Sequence, residues 1–139
     1  MRFTIVLLLS TACSKGAPKT VKLSKLGVEI EIAGGIDHET GPAYVLNAND
    51  SVIRVEPASH PFTLDEAKQD QGAYHPKQLV AEALPDGWAI RYERDKTGHG
   101  VTAQRTIGGR VFECNSYDNE AESAAKSALA ACKTLRASK

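Results

Sequence analysis

The sequence contains no apolar run long enough for a membrane-spanning helix. Its strongly apolar N-terminal stretch extends only from Phe3 to Leu9, whereas a helix that crosses a bilayer needs about 20 apolar residues. An excess of charge is also missing, because 17 Lys and Arg residues are balanced by 17 Asp and Glu residues. This balance leaves no basic surplus to attract nucleic acid. The sequence therefore predicts neither a transmembrane helix nor a nucleic-acid partner.

The sequence also lacks the spacings that are typical of catalytic and metal sites. It has no Gly-x-Ser-x-Gly segment for a nucleophilic serine, and its four histidines form no His-x-His or His-x-x-x-His pair. A solvated loop explains the acid–imidazole cluster Asp37-His38-Glu39, and a turn explains Gly108-Gly109. We therefore predict no catalytic residues, no metal ligands and no cofactor.

The N-terminal segment has the organisation of an export signal. Arg2 precedes the apolar stretch, and small residues then lead into Cys13, which is the order found in secretory signals. Ser10-Thr11-Ala12-Cys13 resembles the lipobox of bacterial lipoproteins, although that family prefers Leu at the position of Ser10. The resemblance implies that residues 1–12 are removed and that Cys13 is acylated. An ordinary secreted protein with a chance cysteine is the alternative.

An acylated Cys13 implies a lipoprotein of the bacterial cell envelope, either periplasm-facing or in the outer membrane. Two or more acyl chains anchor a protein stably, because each buried methylene contributes about 0.8 kcal/mol. Residues 13–20 are predicted to be the lipidated cysteine and a flexible tether, since small, polar, Pro and Gly residues prevail there. Residues 21–139 are then expected to form a single globular domain.

Cysteine is scarce, with only three in the chain. If Cys13 carries lipid, Cys114 and Cys132 remain as an even pair in an exported protein. Such a pair is most simply a disulfide in an oxidising compartment. Two buried free thiols or a redox pair are the alternatives, although the Cys-x-x-Cys spacing typical of redox pairs is absent.

Period-2 alternation of apolar residues predicts most of the strands. It occurs on both sides of Gly27, in two segments joined by a turn at residues 47–50, and in the run led by Trp88. Gly108-Gly109 is a two-residue hairpin signal. The register that follows pairs Ile107 with Arg110, Arg105 with Phe112, and Ala103 with Cys114.

Helix signals stand at two places in the middle of the chain. Thr63 and Glu66 have the spacing of a capping box, which predicts a helix through about Gln71. Pro76 stands at a helix-starting position, so a second helical piece is expected at Lys77–Leu84. One broken helix is the alternative to two separate helices.

The C-terminal segment predicts an alanine-rich helix. Asn119 is the expected N-cap, and apolar residues recur at three- and four-residue steps through Leu135. Cys132 therefore faces the surface on which the helix packs, with Cys114 as its natural partner. A helix that folded straight back along its strand would carry Cys132 past Cys114, so the chain must first continue along the sheet or cross it obliquely.

The order of elements looks like that of the PsbP-like sandwich domain, which is also found in DcrB-like envelope lipoproteins. The likeness is carried by Val28 to Ile32, Val52 to Glu56, Thr63 to Ala67, Gly87-Trp88 and the closing alanine-rich helix. It implies an α+β fold, an antiparallel β-sheet with helices on its faces, and an accessory, non-enzymatic role. It supplies no catalytic residues. A sheet that only resembles this fold is the alternative.

Arginines provide the candidate binding residues. Arg91, Arg105 and Arg110, together with Arg94, are placed where they would form a basic stripe over the predicted meander, with a solvated sheet face as the alternative. The function expected is a membrane-anchored, non-enzymatic binding or accessory module. Its partner would be an envelope protein or a cell-wall component, bound by the open sheet face or near Tyr44, Tyr74 and Tyr117. The alternatives are an immunity-type lipoprotein that blocks a toxin in the periplasm and a metal-dependent enzyme.

Overall fold

The structure, a computed structural model, describes residues 16–74, 77–94, 98–117 and 120–139. Cys13 and the predicted signal lie outside these residues. The strands are β1 (Lys19–Leu23), β2 (Val28–Ile32), β3 (Gly35–Thr40), β4 (Ala43–Ala48), β5 (Ser51–Pro57), β6 (Lys77–Leu84), β7 (Gly87–Arg94), β8 (Gly98–Ile107), β9 (Arg110–Ser116) and β10 (Arg136–Ala137), and the helices are α1 (Leu64–Ala73) and α2 (Glu122–Lys133).

Two antiparallel sheets and two helices form the described part of the chain, so the fold is α+β and dominated by strands. A seven-stranded sheet has the order β3-β4-β5-β9-β8-β7-β6, and a three-stranded sheet has the order β1-β2-β10. Helix α2 and the three-stranded sheet pack on one face of the large sheet, which we call the α2 face. Helix α1 packs on the opposite face over β6 and β7, which we call the α1 face.

The hairpin between β8 and β9 has the predicted register. Ala103 pairs with Cys114, Arg105 with Phe112, and Ile107 with Arg110. Gly108 and Gly109 have φ of 58° and 77°, the left-handed values that a two-residue hairpin turn requires at both central positions. The predicted register is therefore confirmed. It was predictable because the two glycines of the turn determine how both strands pair.

The capping box of α1 is also confirmed. The Thr63 hydroxyl accepts a hydrogen bond from the Glu66 backbone N–H, and the Glu66 carboxylate accepts one from the Thr63 backbone N–H. This bond from Thr63 also holds the pKa of Glu66 below its ordinary value. Helix α1 extends to Ala73, slightly beyond the predicted end.

The helix predicted at Lys77–Leu84 is wrong, because this segment is strand β6. It pairs along its length with β7 and forms one edge of the large sheet. Val80, Glu82 and Leu84 are half-buried, whereas the intervening alanines are exposed, which is the period of a strand. The composition of this segment favours a helix, but the segment forms a strand because its backbone N–H and C=O groups pair with those of β7.

The loop predicted for Asp37-His38-Glu39 is also wrong, because these residues belong to strand β3. The strand pairs only with β4 and is therefore the other edge of the large sheet. Both of its faces carry exposed polar residues, so it lacks the hydrophobic alternation that identifies a strand from sequence. Charged side chains are typical of edge strands because they oppose pairing with further chains.

Two further boundaries differ from the predictions near the termini. Strand β1 begins at Lys19, so Lys19 and Thr20 of the predicted tether pair with β2 instead. Helix α2 begins at Glu122 with Ala121 as its N-cap and no side-chain cap, so the N-cap expected at Asn119, which lies outside the described residues, is wrong. The helix begins after Glu120 because this residue is held at the sheet. Its backbone pairs with that of His99, and its carboxylate accepts hydrogen bonds from the Ser51 hydroxyl and the Val52 backbone N–H.

Cys114 and Cys132 are joined by a disulfide, as predicted. The bridge between Glu120 and His99 lies near the start of β8, about 13 Å along the strand from the residue that pairs with Cys114. From Ala121 to Cys132 the helix rises about 16 Å. The chain thus travels outward along the sheet before the helix returns, and this brings Cys132 over Cys114.

Candidate functional site

The three arginines predicted to bind a partner lie on the α2 face of the large sheet. Arg105 is only 8% exposed. Its guanidinium donates two hydrogen bonds to the Asp86 carboxylate, at 2.6 and 3.0 Å. It also donates to the carbonyl oxygens of Cys132 and Lys133, at 3.0 and 2.8 Å. Arg105 therefore satisfies carbonyls at the C-terminus of α2.

The other two arginines also have partners inside the fold. Arg91 is 9% exposed and lies 3.6 Å from the Glu122 carboxylate in the first turn of α2. Arg110 donates to the carbonyl oxygen of Leu26, and its guanidinium lies 5.0 Å from the centre of the Phe112 ring. Arg91 and Arg105 are thus buried and Arg110 is exposed, so the three do not form one solvated stripe.

The tyrosines named from the sequence differ in their environment. Tyr44 is buried at 2% exposure, and its hydroxyl accepts a hydrogen bond from the Lys25 backbone N–H. Tyr74 and Tyr117 are exposed at 65% and 58%. Tyr74 caps the C-terminus of α1, and Tyr117 directly follows β9. Only Tyr74 and Tyr117 thus have rings available at the surface.

A trough lies on the α1 face where α1 leaves the sheet uncovered, and it is polar beside α1 and mostly apolar beside Tyr117. Its floor is formed by β5, β9 and β8, and it consists of two adjoining hollows that share Asn115. The first, of about 120 Å³, lies between α1 and the sheet and is lined by Trp88 and Gln104 among others. The second, of about 200 Å³, lies beside Tyr117. We call these two hollows together the trough.

Cross-strand pairing brings the trough residues together in two rows. The pairings make one row of Trp88, Gln104, Glu113 and Glu56 and a second row of Ile90, Thr102, Asn115 and Arg54. Directly opposed side chains on one face have Cβ atoms about 5 Å apart. The β7 members of both rows are apolar and lie under α1, whereas the members on β8, β9 and β5 are polar. Each row is thus apolar beneath α1 and polar beyond the part of the sheet that α1 covers.

Gln104 fixes the wall of the trough beside α1. It is 4% exposed, its side-chain oxygen accepts from the Phe62 backbone N–H at 2.8 Å, and its amide nitrogen donates to the His60 carbonyl at 2.9 Å. The Trp88 indole N–H donates to the Phe62 carbonyl at 2.9 Å. These bonds hold the segment that leads into α1 against the sheet and so position the helix.

The trough contains an internal ion pair and two further carboxyl groups, Glu113 on β9 and Asp70 on α1. The Arg54 guanidinium forms two hydrogen bonds with the Glu56 carboxylate, at 2.9 and 3.0 Å, and this bonding raises the pKa of Arg54. Burial raises the pKa of Glu113, and hydrogen bonds from Gln104 and Asn115 act in the opposite direction. The Thr102 hydroxyl donates to the Asn115 side-chain oxygen at 2.8 Å. The trough therefore offers oriented hydrogen-bonding groups, and its described lining contains more carboxyl than cationic side chains.

A larger cavity of about 340 Å³ lies between the three-stranded sheet and α2. Much of its wall consists of small apolar residues, and Gly16 and Pro18 also line it. Its polar groups include Thr134, whose hydroxyl accepts from the Glu31 backbone N–H and donates to the Ala131 carbonyl. That hydroxyl is occupied within the fold, so the cavity offers a ligand fewer polar groups than the trough.

The described residues contain no group of three or more His, Cys, Asp or Glu side chains arranged to hold a metal ion. In the same part of the chain, neither helix is long and apolar enough to cross a membrane.

Sequence reasoning missed the trough, although a signal for it was present. Thr102 and Gln104 on β8 alternate with apolar residues, as do Glu113 and Asn115 on β9. Pairing these polar positions through the predicted hairpin register places all four side chains on one face. The sequence does not reveal which part of that face α1 leaves open.

The chain matches no protein-family profile, no curated protein and no solved structure.

Proposed function

We propose that this protein is a lipid-anchored, extracytoplasmic binding module that has no enzymatic activity of its own. The observation that carries the binding role is the trough, where two connected hollows present oriented polar groups beside the exposed Tyr117 ring. A few polar groups in fixed positions orient a ligand and make its binding specific. We propose an envelope protein or a cell-wall component as the partner, and no nucleic acid.

The lipobox-type segment that ends at Cys13 supports the anchor. If Cys13 is the first residue of the mature chain, the backbone from Cys13 to the start of β1 at Lys19 spans at most about 20 Å. The folded domain would therefore stay close to the bilayer surface. The disulfide between Cys114 and Cys132 also suits an oxidising extracytoplasmic compartment.

The proposal includes the finer fold assignment, a PsbP-like sandwich. It is supported by an antiparallel sheet with one helix on each face and by the closing alanine-rich helix. The resemblance implies an accessory role for the protein, and it supplies no catalytic residues.

The anchor is tested by replacing the cysteine and following the protein through fractionation of the producing cells. We expect the unaltered protein in the membrane fraction, with an intact mass of residues 13–139 plus acyl chains. Cys13→Ala should leave the membrane fraction and lose the added mass, whereas Ser14→Ala should retain both. An unaltered protein that has the bare mass of residues 13–139 would refute the anchor.

The binding role is tested by a photoreactive amino acid at position 117 in intact cells. We expect a reproducible crosslinked species from this position, because its side chain lies at the trough. The same reagent at position 74 is the matched control, since Tyr74 is at least as exposed as Tyr117 but lines neither hollow. Equal yields from both positions, or none from position 117, would contradict the proposed site.

A further inference from the structure

We propose that the trough binds a neutral pyranose oligosaccharide, with the Tyr117 ring stacked on one sugar and the polar rows bonded to the hydroxyl groups of the next. The inference names the ligand class of the site under the proposed function and therefore rests on it.

The charged side chains of the trough disfavour an anionic ligand. Arg54 is held by the Glu56 carboxylate through two hydrogen bonds, so it offers no free cation for a phosphate or another anion. Glu113 on the floor and Asp70 on α1 add carboxyl oxygens to the first hollow, and these repel an anion but accept hydrogen bonds from the hydroxyl groups of a neutral ligand. The groups that remain are amides, hydroxyls and carboxylate oxygens with spare lone pairs.

Sugar hydroxyl groups match this set because each one both donates and accepts a hydrogen bond. On the floor, Thr102 is already bonded to Asn115, and Gln104 and Asn115 bond to Glu113. A carbonyl or carboxylate oxygen has more than one acceptor position, so these internal bonds leave acceptors free. They also hold the side chains in place before a ligand arrives, which lowers the entropic cost of binding.

Tyr117 supplies the apolar part of the site. Its ring is 58% exposed at the end of the polar rows, next to Val52 in a hollow with a mostly apolar wall. One face of a pyranose ring is lined by C–H groups, and tyrosine offers rigid, amphipathic contact area at low entropic cost. An aromatic ring beside clustered amides is thus suited to a molecule that has an apolar face and a polar rim.

The floor of the trough also argues against an extended peptide as the ligand. It is formed by β5, β9 and β8, which are interior strands with neighbours on both sides. Their backbone groups are used within the sheet, so a peptide cannot join it as an added strand. Recognition must therefore come from side chains.

The size of the hollows indicates an oligomer. They measure about 120 and 200 Å³, and each is smaller than the roughly 300 Å³ that marks the lower end of small-molecule pockets. Since the two hollows meet at Asn115, a ligand gains most by lying across both. A chain of at least two sugars fits this arrangement.

The single tryptophan of the chain provides the readout, because Trp88 lines the first hollow. The full chain, purified in detergent, is titrated with a hexamer of N-acetylglucosamine while the tryptophan emission is followed. We expect a saturable change in emission. Tyr117→Ala should weaken binding about tenfold, the equivalent of one buried aromatic contact, whereas Tyr117→Phe should bind as the unaltered protein does. Tyr74→Ala is the matched control and should have no effect.

Folding of each variant is checked by circular dichroism, so that loss of structure is not mistaken for loss of a contact. Sedimentation with purified, protein-free cell-wall sacculi then identifies the source of the sugar. Sacculus binding that the soluble hexamer competes away identifies the wall glycan, and hexamer binding without sedimentation identifies a soluble polysaccharide. Both results support the ligand class.

The inference is overturned if the hexamer gives no saturable signal, or if Tyr117→Ala and Tyr74→Ala weaken binding equally. A crosslink from position 117 to a protein, without a response to sugar, would overturn the ligand class and leave the binding module intact. If the anchor proposal were wrong, the unaltered protein and Cys13→Ala would instead behave alike in the fractionation. The two proposals therefore fail by different measurements.

Discussion

Arg105 connects three parts of the molecule through one buried guanidinium. It joins the turn before β7, through Asp86, to the carbonyls that end α2. A cation at this end of a helix also interacts favourably with the helix dipole. The arginine that the sequence indicated as a binding residue thus bonds two elements of the fold to each other.

Replacing this arginine should lower the stability of the protein substantially. We expect Arg105→Ala to cost about 3 kcal/mol in the free energy of unfolding, because it leaves Asp86 and two carbonyls without their donor. Arg105→Lys should recover only part of this loss, since one ammonium group cannot reach all of these acceptors. Urea denaturation followed by circular dichroism measures both.

The matched control for Arg105 is Lys133→Ala. Lys133 pairs with Glu82 at the surface, and exposed ion pairs contribute less than about 1 kcal/mol. Similar losses for Arg105→Ala and Lys133→Ala would contradict the role assigned to the buried guanidinium.

Glu113 should make the stability of the protein depend on pH. Because burial raises its pKa above the ordinary value of 4.5, its contribution to stability is present below that value and is lost as the pH rises through the folded-state pKa. We therefore expect Glu113→Gln to melt at a higher temperature than the unaltered protein at pH 7. The difference should vanish near pH 4, and thermal unfolding at the two pH values tests this.

Glu29 is expected to behave with the opposite sign. Its carboxylate accepts a hydrogen bond from the Lys139 backbone N–H and pairs with Arg136, and these contacts lower its pKa. Its stabilising contribution is thus present at neutral pH and is lost as the pH falls through the lowered pKa. Glu29→Gln should lower the melting temperature at pH 7. Shifts of the same sign for Glu29→Gln and Glu113→Gln would refute this assignment.

At the scale of elements, helix α2 begins without a side-chain cap. Ala121 has extended backbone angles, with φ of −65° and ψ of 155°, which an N-cap serine adopts without strain. Ala121→Ser should therefore stabilise the protein by about 1 kcal/mol, since its hydroxyl can accept from a free N–H of the first turn. The midpoint of urea unfolding measures the gain.

Ala130→Ser is the control for this change. Ala130 is exposed within α2, and serine has a lower helix propensity than alanine in a helix interior. A gain at position 130 as large as at position 121 would indicate a general effect of serine rather than capping.

The elements also show which features a single sequence can predict. The β8–β9 hairpin and the start of α1 are determined by residues close in the chain, Gly108-Gly109 and Thr63 with Glu66, so both are predictable. Strand β6 depends on its pairing with β7 and has the composition of a helix, so local signals mislead. The trough depends on which strands α1 covers, and that contact between distant elements is not encoded in any local pattern.

At the scale of the whole molecule, the disulfide fastens the C-terminal helix to the sheet it covers. Cys114 and Cys132 are fully buried and are 18 residues apart. Replacing both by alanine should lower the free energy of unfolding by about 3 kcal/mol, because the unfolded chain regains the entropy of an open loop. Denaturant unfolding measures the loss.

Cys13→Ala is the control for the disulfide, since Cys13 lies outside the described residues. It should leave the unfolding midpoint of the detergent-solubilised protein unchanged. An unchanged midpoint for the double variant as well would show that the disulfide contributes nothing to the stability of the native state.

The three-stranded sheet gathers both ends of the described chain. Strands β1 and β10 both run antiparallel to β2, so β1 begins at Lys19 opposite Ile32, whereas β10 ends at Ala137 opposite Val28. A label or fusion partner attached after Lys139 would therefore emerge at the other end of this sheet from the tether. If the tether leads to a bilayer, such an addition would extend from the end of the sheet that lies away from the lipid.

The trough opens on the opposite face of the large sheet, so a tag after Lys139 would be separated from both the tether and the trough. A tag inserted at Gly108-Gly109 would instead lie beside the β1–β2 turn, where Arg110 donates to the Leu26 carbonyl.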